Sequence, residues 1–587
     1  MIFFRPLRVA HCRVAHLRRG CELLRVVYED DLAVGARARH MARQGSARPS
    51  VLSRARAPFA SSARRRMKCT GRESRVCPGS PLCLFTGRES EVIIHRQSFP
   101  FDTDEGKTFA HTAGPAMASL VLRGRALFFL PSWPEVAGSA AGVRTDRLIR
   151  AFEAWGCRVT VASAQADNEH ASGLRLRGTE THVVPLNNME RARDLLDECE
   201  PDLVVFDRFY VEEALSHVLR SLRPKALRIL DMQDCHALRT VRQRTIEAGG
   251  SIAEAIDTRP KATDTMLARE LASIHRSDLT LACSPVEYNW LRDTCGVPAA
   301  KLALAPFFIA EDANAVEVPP WQTRTGFVTL GTFRHPPNVD SLRFLSRDVW
   351  PLIRTALPAA TCTIIGSHPT HEAASIFHAP ASGLHVAGHL SPSALSTALR
   401  GARVLLAPLR FGAGLKGKVV EAWAHGTPVV TTPIGAEGLQ MEDYLKAPAE
   451  TAVKAAVNAA AAAKDDDDND DEEEEPEEEG TWGGLWHATD AEALARDAVR
   501  LHKDEALWHA CSHSARRTRG LLFDETPAGR GAALLSELRE SIEAAIMHLG
   551  ARRDADYVGA ALWHHRQRST QYFSKWIEAK NRGCSQV

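Results

Sequence analysis

From about residue 121 onward, short apolar runs alternate with stretches whose apolar positions recur every three or four residues. The apolar run at 126–131, in "RALFFLPS", leads into the loop "SWPEVAGSAAG" and then into "VRTDRLIRAFEAWG". In that last segment Leu148, Ile149, Phe152 and Trp155 keep helical spacing, and Gly156 closes the helix. "RVTVAS" (158–163) follows as a strand, so the unit reads strand, loop, helix, strand. Comparable runs recur in "THVVPL", "DLVVFD", "ALRILDM", "DLTLACS" and "KLALAPFF", with helical stretches between most of them. Apolar strands separated by crossover helices predict a buried parallel sheet.

After a Pro-containing linker near 310–322 the alternation starts afresh. "GFVTLGTF", "ATCTIIGS", "LHVAGHL", "RVLLAPL" and "TPVVTTP" read as strands. "NVDSLRFLSRDVWPLIRTAL" reads as one amphipathic helix, "LSPSALSTALRGA" as another with Ser at its start, and "KGKVVEAWAHG" as a third. The expectation is therefore an α/β protein of two successive Rossmann-like domains facing across a cleft, the usual place for a ligand. We divide the chain into 1–120, an Arg-rich and mostly disordered extension; 121–310, the first domain; 311–545, the second; and 546–587, a helical tail. A chain of 587 residues is too long for one hydrophobic core, in keeping with that division.

Charge changes the picture at two places. The formal net charge of +1 conceals segments that cancel. Residues 1–68 hold 15 Arg and one Lys against four acidic residues, whereas "DDDDNDDEEEEPEEE" (465–479) holds 13 acidic residues and no basic one. Such a run of like charges repels itself, so 453–480 reads as a disordered insertion in the second domain. The remaining body is near neutral, which argues against a specific nucleic-acid surface. The 13 cysteines are scattered, many of them in apolar runs such as "LTLACSPV", as in a reduced intracellular protein. Cys69, Cys77 and Cys83 cluster without the spacing of a zinc site, and no metal is expected. No stretch has the length of a membrane span, although peripheral membrane contact stays open. A cytoplasmic location is expected, with organellar targeting by the Arg-rich start as the other reading.

One segment concentrates chemistry: "LRFGAGLKGKVVEAWAHGTPVV" (409–430). It follows an apolar strand, and Gly412 and Gly414 let the backbone turn tightly and present its N–H groups. A helix begins near Leu415–Lys418, so its unpaired N–H groups and positive dipole end face the same spot. Lys416 and Lys418 add full charges, which together make a site for a diphosphate. Glu421, at i+3 from Lys418 on the same face, is placed to accept hydrogen bonds from a hydroxyl pair such as a ribose. The bland alternative is a pair of solvated lysines with Glu421 bonded to Lys418.

The ordered string "GTFRHPPNVDSLRFL", "TIIGSHP" and "LHVAGHLSPSALSTALRGARVLLAPLRFGAGLKGKVVEAWAHGTPVVTTPIGAEGL" resembles the donor-binding half of the group 1 (family 4 type) retaining glycosyltransferases of the GT-B fold. The resemblance spans about 120 to 545 and is closest at 326–439. It implies a nucleotide-diphosphate-sugar donor held by the second domain, an acceptor held by the first, retention of anomeric configuration, and no cofactor or metal. By that resemblance Gly331, Gly412, Gly414, Lys416, Lys418 and Glu421 bind the donor, and Lys418 and Arg334 stabilise the leaving diphosphate. Relatives carry a first glutamate eight positions before the one matched by Glu421, and here that place is Ala413. The Arg and Lys that many relatives place after the first strand of this domain are Thr332 and Asn338, with Arg334 as a substitute.

In the first domain "PEVAGSAAGVRTDRLIRAF" resembles the family's cleft-facing loop, with Gly138, Gly142 and Arg144 in matching places. "LRILDMQDCHALR" presents Asp231, Asp234 and His236, and His236 is the candidate for the catalytic His near acceptor and sugar. A loop His bonded to Asp234 is the competing reading. The implied function is sugar transfer to an acceptor hydroxyl of an unknown glycan, lipid or protein. Two alternatives are an inactive nucleotide-sugar-binding or regulatory protein of the same fold, and a nucleotide-sugar epimerase.

Overall fold

The computed structural model describes residues 122–309, 318–370, 376–445, 482–526, 529–564 and 576. The Arg-rich extension, the three clustered cysteines, the acidic insertion and most of the tail beyond 564 lie outside the described residues.

All seven apolar runs of the first half become parallel strands: β1 (Arg125–Leu130), β2 (Arg158–Ser163), β3 (Glu180–Val183), β4 (Leu203–Asp207), β5 (Leu227–Asp231), β6 (Leu279–Ala282) and β7 (Leu302–Leu304). They lie in the order β3-β2-β1-β4-β5-β6-β7. The helices that bear on the site are α1 (Ala140–Ala154), α2 (Phe209–Leu222), α3 (His236–Glu247), α4 (Thr265–Arg276) and α5 (Pro285–Asp293). Helix α1 keeps the predicted spacing but begins at Ala140, inside the stretch read as loop. Ser139 caps it by accepting from the Gly142 N–H at 3.0 Å, and Leu148, Ile149 and Phe152 bury its apolar face. Phe152 meets Phe128 of β1 edge-to-face at 5.2 Å, and fully burying such a side chain is worth about 1.5–3 kcal/mol.

The second half repeats the plan with β8 (Phe327–Leu330), β9 (Cys362–Ile365), β10 (Leu384–Gly388), β11 (Val404–Ala407), β12 (Val429–Thr431) and β13 (Gly484–Leu485). Its order is β10-β9-β8-β11-β12-β13, again all parallel. Strand β13 was not anticipated, because two residues carry no periodicity. The long helix expected after β8 starts earlier, at Pro336 in the first-turn position that proline favours, and runs as α6 (Pro336–Phe344). A wide turn at Leu345–Val349 then separates it from Trp350–Ala356. Pro351 lacks an N–H for the α ladder, which accounts for the break. Helices α7 (Gly417–Ala424), α8 (Glu505–Phe523) and α9 (Arg530–Met547) complete the site's surroundings.

Both halves are thus Rossmann-like layers of the expected α/β class, and each sheet changes direction beside its first strand, between β1 and β4 and between β8 and β11. The chain does not stay in the second half to 545. Ile309 bridges Asp524, Arg147 Nη2 lies 2.6 Å from Glu525, and α9 packs on β7. Arg553 then grips Asp278 with two bonds of 2.8 and 2.7 Å, and Trp563 lies under Arg220 and Arg228. The last helices therefore serve the first sheet, a long-range return that no local pattern announces.

Candidate active site

The loops after β8 and β11, which hold the donor-site residues inferred from sequence, leave the carboxyl ends of strands at the second sheet's switch point. Helix α7 has Lys416 at its N-cap and buries Val419, Val420, Ala422 and Trp423. The Trp423 indole donates to the Gly483 carbonyl at 3.0 Å and packs edge-on against Trp482, so the helix is anchored at its rear while its N-terminus stays in the site. Lys418 Nζ donates to Asn338 Oδ1 at 2.9 Å, and Asn338 Nδ2 donates to the Thr332 carbonyl at 3.1 Å. Burial lowers the Lys418 ammonium to about 7. Lys418 also borders a cavity of about 10 Å³, the room of a single water, with Gly331 and Asn338 on its wall.

Lys416 is turned inward. Its Nζ donates to the Gly414 carbonyl at 2.6 Å and lies 3.9 Å from Glu437 Oε2, and burial depresses its pKa. Glu437 is held on its other side by Arg242 of α3, through two contacts of 2.7 Å. Burial opposes ionisation of Glu437, but Arg242 outweighs it and holds the carboxyl below its ordinary value. Arg242 Nη1 also donates to the Gly412 carbonyl at 2.9 Å. Glu421 is half-exposed one turn along α7, 3.7 Å from His425 Nε2. Arg334 is exposed, and its backbone N–H donates to Thr332 Oγ1 at 3.4 Å.

The first half presses on this loop directly. Gly414 takes φ +63°, and a Cβ there would fall 2.9 Å from the Asp234 Cβ, so both its conformation and its neighbours require glycine. The Gly414 N–H donates to Glu287 Oε1 at 2.7 Å, and the same oxygen accepts from Cys235 N at 3.2 Å. Burial raises the Glu287 carboxyl to about 7. A Cβ on Gly417 would lie 2.4 Å from the Ala140 Cβ, so the N-terminus of α7 abuts that of α1. The Gly138 carbonyl accepts from Ser367 Oγ at 3.1 Å, and His368 Nε2 lies 3.0 Å from Glu135 Oε2.

Arg144 and His236 sit differently from each other. Arg144 is 2 % exposed, and its guanidinium bonds Asp231 at 2.7 Å and the Ala305 carbonyl at 2.8 Å, which makes it a tie beneath the site. His236 begins α3, with its backbone N–H and that of Ala237 both donating at 2.8 Å to Glu270. Its ring stands edge-on to Phe209 at 5.3 Å, with Nε2 3.4 Å from Asp234 Oδ1. Burial, reinforced by Arg239, brings the imidazole down to about 3, so it is neutral. Asp234 in turn bonds Arg239 at 2.6 Å; burial pushes the carboxyl up, but Arg239 and the other positive groups around it together bring it down to about 2. His335, at the N-cap of α6, is likewise lowered to about 3 by burial and by Arg239.

The structure therefore gathers Gly138, Gly142, Gly331, Gly412, Gly414, Lys416, Lys418, Asp234 and His236 where the two sets of strand ends meet, and leaves Arg334 at the surface. It adds Arg242, Glu287, His335 and Glu437, which sequence reasoning passed over. Glu437 lay in view within "GAEGL", but its partner is nearly two hundred residues away. Among the described residues one group of possible metal ligands converges, Glu180, His182 and Cys199, and it lies by the edge strand β3 rather than here.

Solved structures similar to this chain include a sucrose-phosphate synthase from Thermosynechococcus elongatus, at 16 % identity and TM-score 0.45, covering 72 % of this chain and 100 % of that one. HepE from Anabaena, in complex with UDP and glucose, covers the same shares at 12 % identity and TM-score 0.47. TarM from S. aureus, in a complex containing UDP, covers 71 % and 99 % at 8 % identity and TM-score 0.48. No curated protein matches the chain. Residues 324–465, the stretch carrying β8 to α7 and both site lysines, match the family described as Glycosyl transferases group 1.

Proposed function

We propose that this protein transfers a sugar, a hexose or a related unit, from a nucleoside-diphosphate sugar to an acceptor hydroxyl with retention of configuration and without a metal. The observation that carries the reading is Lys418 at the head of α7, beside the exits of β8 and β11, within the stretch that matches group 1 glycosyltransferases. As the anomeric C–O bond breaks, its electron pair passes to the diphosphate oxygen. Lys418 and the N–H groups at the start of α7 meet that growing charge, and each well-placed donor is worth about 3 kcal/mol. The acceptor oxygen bonds to the anomeric carbon from the side the diphosphate leaves, and its proton passes to the departing phosphate. No strong protein base is used, in keeping with Ala413 in place of a carboxylate. Neutral His236 orients the acceptor hydroxyl, and Glu421 holds the ribose.

A second reading, donor binding without transfer, is favoured by the same Ala413 and by Asn338, which occupies Lys418 Nζ. Melting curves of the full chain with UDP-, GDP-, ADP- and CDP-sugars identify the donor, since binding to the native state raises Tm. With that donor, Lys418→Ala lowers turnover about 100-fold while Tm is kept. Unchanged turnover in the variant would sink the proposal, and binding without transfer across a broad acceptor screen would establish the second reading.

A further inference from the structure

Strand β3 is four residues long and lies at the edge of the first sheet, with β2 as its neighbour. Side chains two positions apart on a strand share a face, so Glu180 and His182 stand side by side. His182 Nε2 lies 3.0 Å from Glu180 Oε1. The helix Met189–Cys199, which follows β3, ends on the thiol of Cys199. One atom from each of these three residues, a nitrogen, a carboxylate oxygen and a sulfur, lies within 4.8 Å of the other two. Glu180 is the first residue of β3, whereas Asp234 and His236 follow the last residue of β5, four places along the sheet. In a parallel sheet this separates the cluster from the candidate active site.

The two oxygens of Glu180 are differently engaged. Oε2 accepts from Arg158 Nη2 at 3.2 Å and from Thr160 Oγ1 at 3.4 Å, both on β2, which leaves Oε1 beside the imidazole. Bonds of this kind to the second oxygen orient a metal-binding carboxylate. The His182 side chain is 14 % exposed, and Cys199 is half-buried and in no disulfide, so an ion here would be shielded yet reachable from solvent. Tetrahedral zinc, with bonds of about 2.0–2.3 Å, needs ligand atoms about 3.3–3.8 Å apart, so side-chain shifts of about an ångström suffice. Calcium and magnesium take oxygen ligands, whereas thiolate and imidazole together favour zinc.

We propose that Glu180, His182 and Cys199 bind one zinc ion with water as fourth ligand, and that the ion staples the end of the helix Met189–Cys199 to the edge strand β3. The Cys199 thiol gives its proton to solvent as the sulfur–zinc bond forms. The ion takes no part in sugar transfer, and the proposal stands or falls independently of that reading.

The test uses the full chain, stripped of metal by a chelator and titrated under reducing conditions with cobalt(II) and then with zinc. Wild type should bind cobalt with the intense visible bands of a tetrahedral site and a thiolate-to-cobalt charge-transfer band, and zinc should erase both. Zinc should also raise Tm. Cys199→Ser should lose the charge-transfer band, and both it and His182→Gln should bind zinc about 100-fold more weakly or worse. Each variant should match the metal-free Tm of wild type, which separates a lost ligand from a lost fold. Where one variant melts early without metal, the other decides by the same criterion. A charge-transfer band that persists in Cys199→Ser belongs to another of the 13 cysteines and overturns the assignment. Zinc affinity equal to that of wild type in a folded variant overturns it as well, as does a wild type that binds neither ion.

Discussion

Lys418 faces two opposing demands: a phosphate site needs an ammonium, and burial brings this one down to about 7. Since the unfolded value is near 10.5, the folded chain sheds a proton that the unfolded chain keeps between those limits. Lys418 therefore makes stability rise with pH across that window. A bound diphosphate restores the charge, so binding should draw in a proton. We expect calorimetry at pH 8 in two buffers of unlike ionisation enthalpy to show uptake of nearly one proton, which fades below pH 6 and disappears in Lys418→Ala. Binding that is independent of buffer at pH 8 would show that Lys418 is not the phosphate ligand. Lys416 and Lys418 stood out in the sequence because they flank glycines at a helix start. Glu287 and His335 did not, since a lone Glu or His gives no sign of what faces it until the chain is folded.

At the scale of elements, the meeting of α1 and α7 matters most. Each presents its N-terminus to the shared volume, and Gly417 and Ala140 allow the approach. Gly417→Ala inserts a Cβ with room neither toward Ala140 nor toward Phe307, at 3.3 Å. We expect it to cost about 1–3 kcal/mol in urea unfolding. Adding Ala140→Gly removes the facing methyl and should recover part of that loss, and strictly additive effects would show that the two helix ends do not touch in solution. Elements were the most legible level. The strands of both sheets, β13 aside, and the body of α1 follow from apolar runs and glycine stops, whereas the start of α1 at Ser139 was read as loop. The break at Pro351 was misread, because the apolar spacing continues across it.

For the whole molecule, the halves are joined by polar ties as well as by a buried cluster that includes Phe307, Val328, Leu405 and Trp423. Arg242, with a side chain fully buried, carries one of these ties across to Glu437 and Gly412. Arg242→Met leaves Glu437 buried without its bidentate partner, and should cost about 3–5 kcal/mol. Arg242→Met combined with Glu437→Met should regain most of that stability in denaturant titration. If the double variant were as unstable as the single one, the ion pair would not be what joins the halves.

The sequence by itself determined the two α/β repeats, the direction of their strands and the lysine-bearing helix start, because apolar period, capping residues and glycines act over a few neighbouring positions. Only the tertiary structure decided which residues share the site. Arg242 meets Glu437 and Glu287 meets Gly414, both across more than a hundred residues. It also decided that Arg144 is a buried tie and that the last helices return to the first sheet. Local pattern encodes which faces of each element are apolar, whereas the pairing of distant charges depends on how those faces pack.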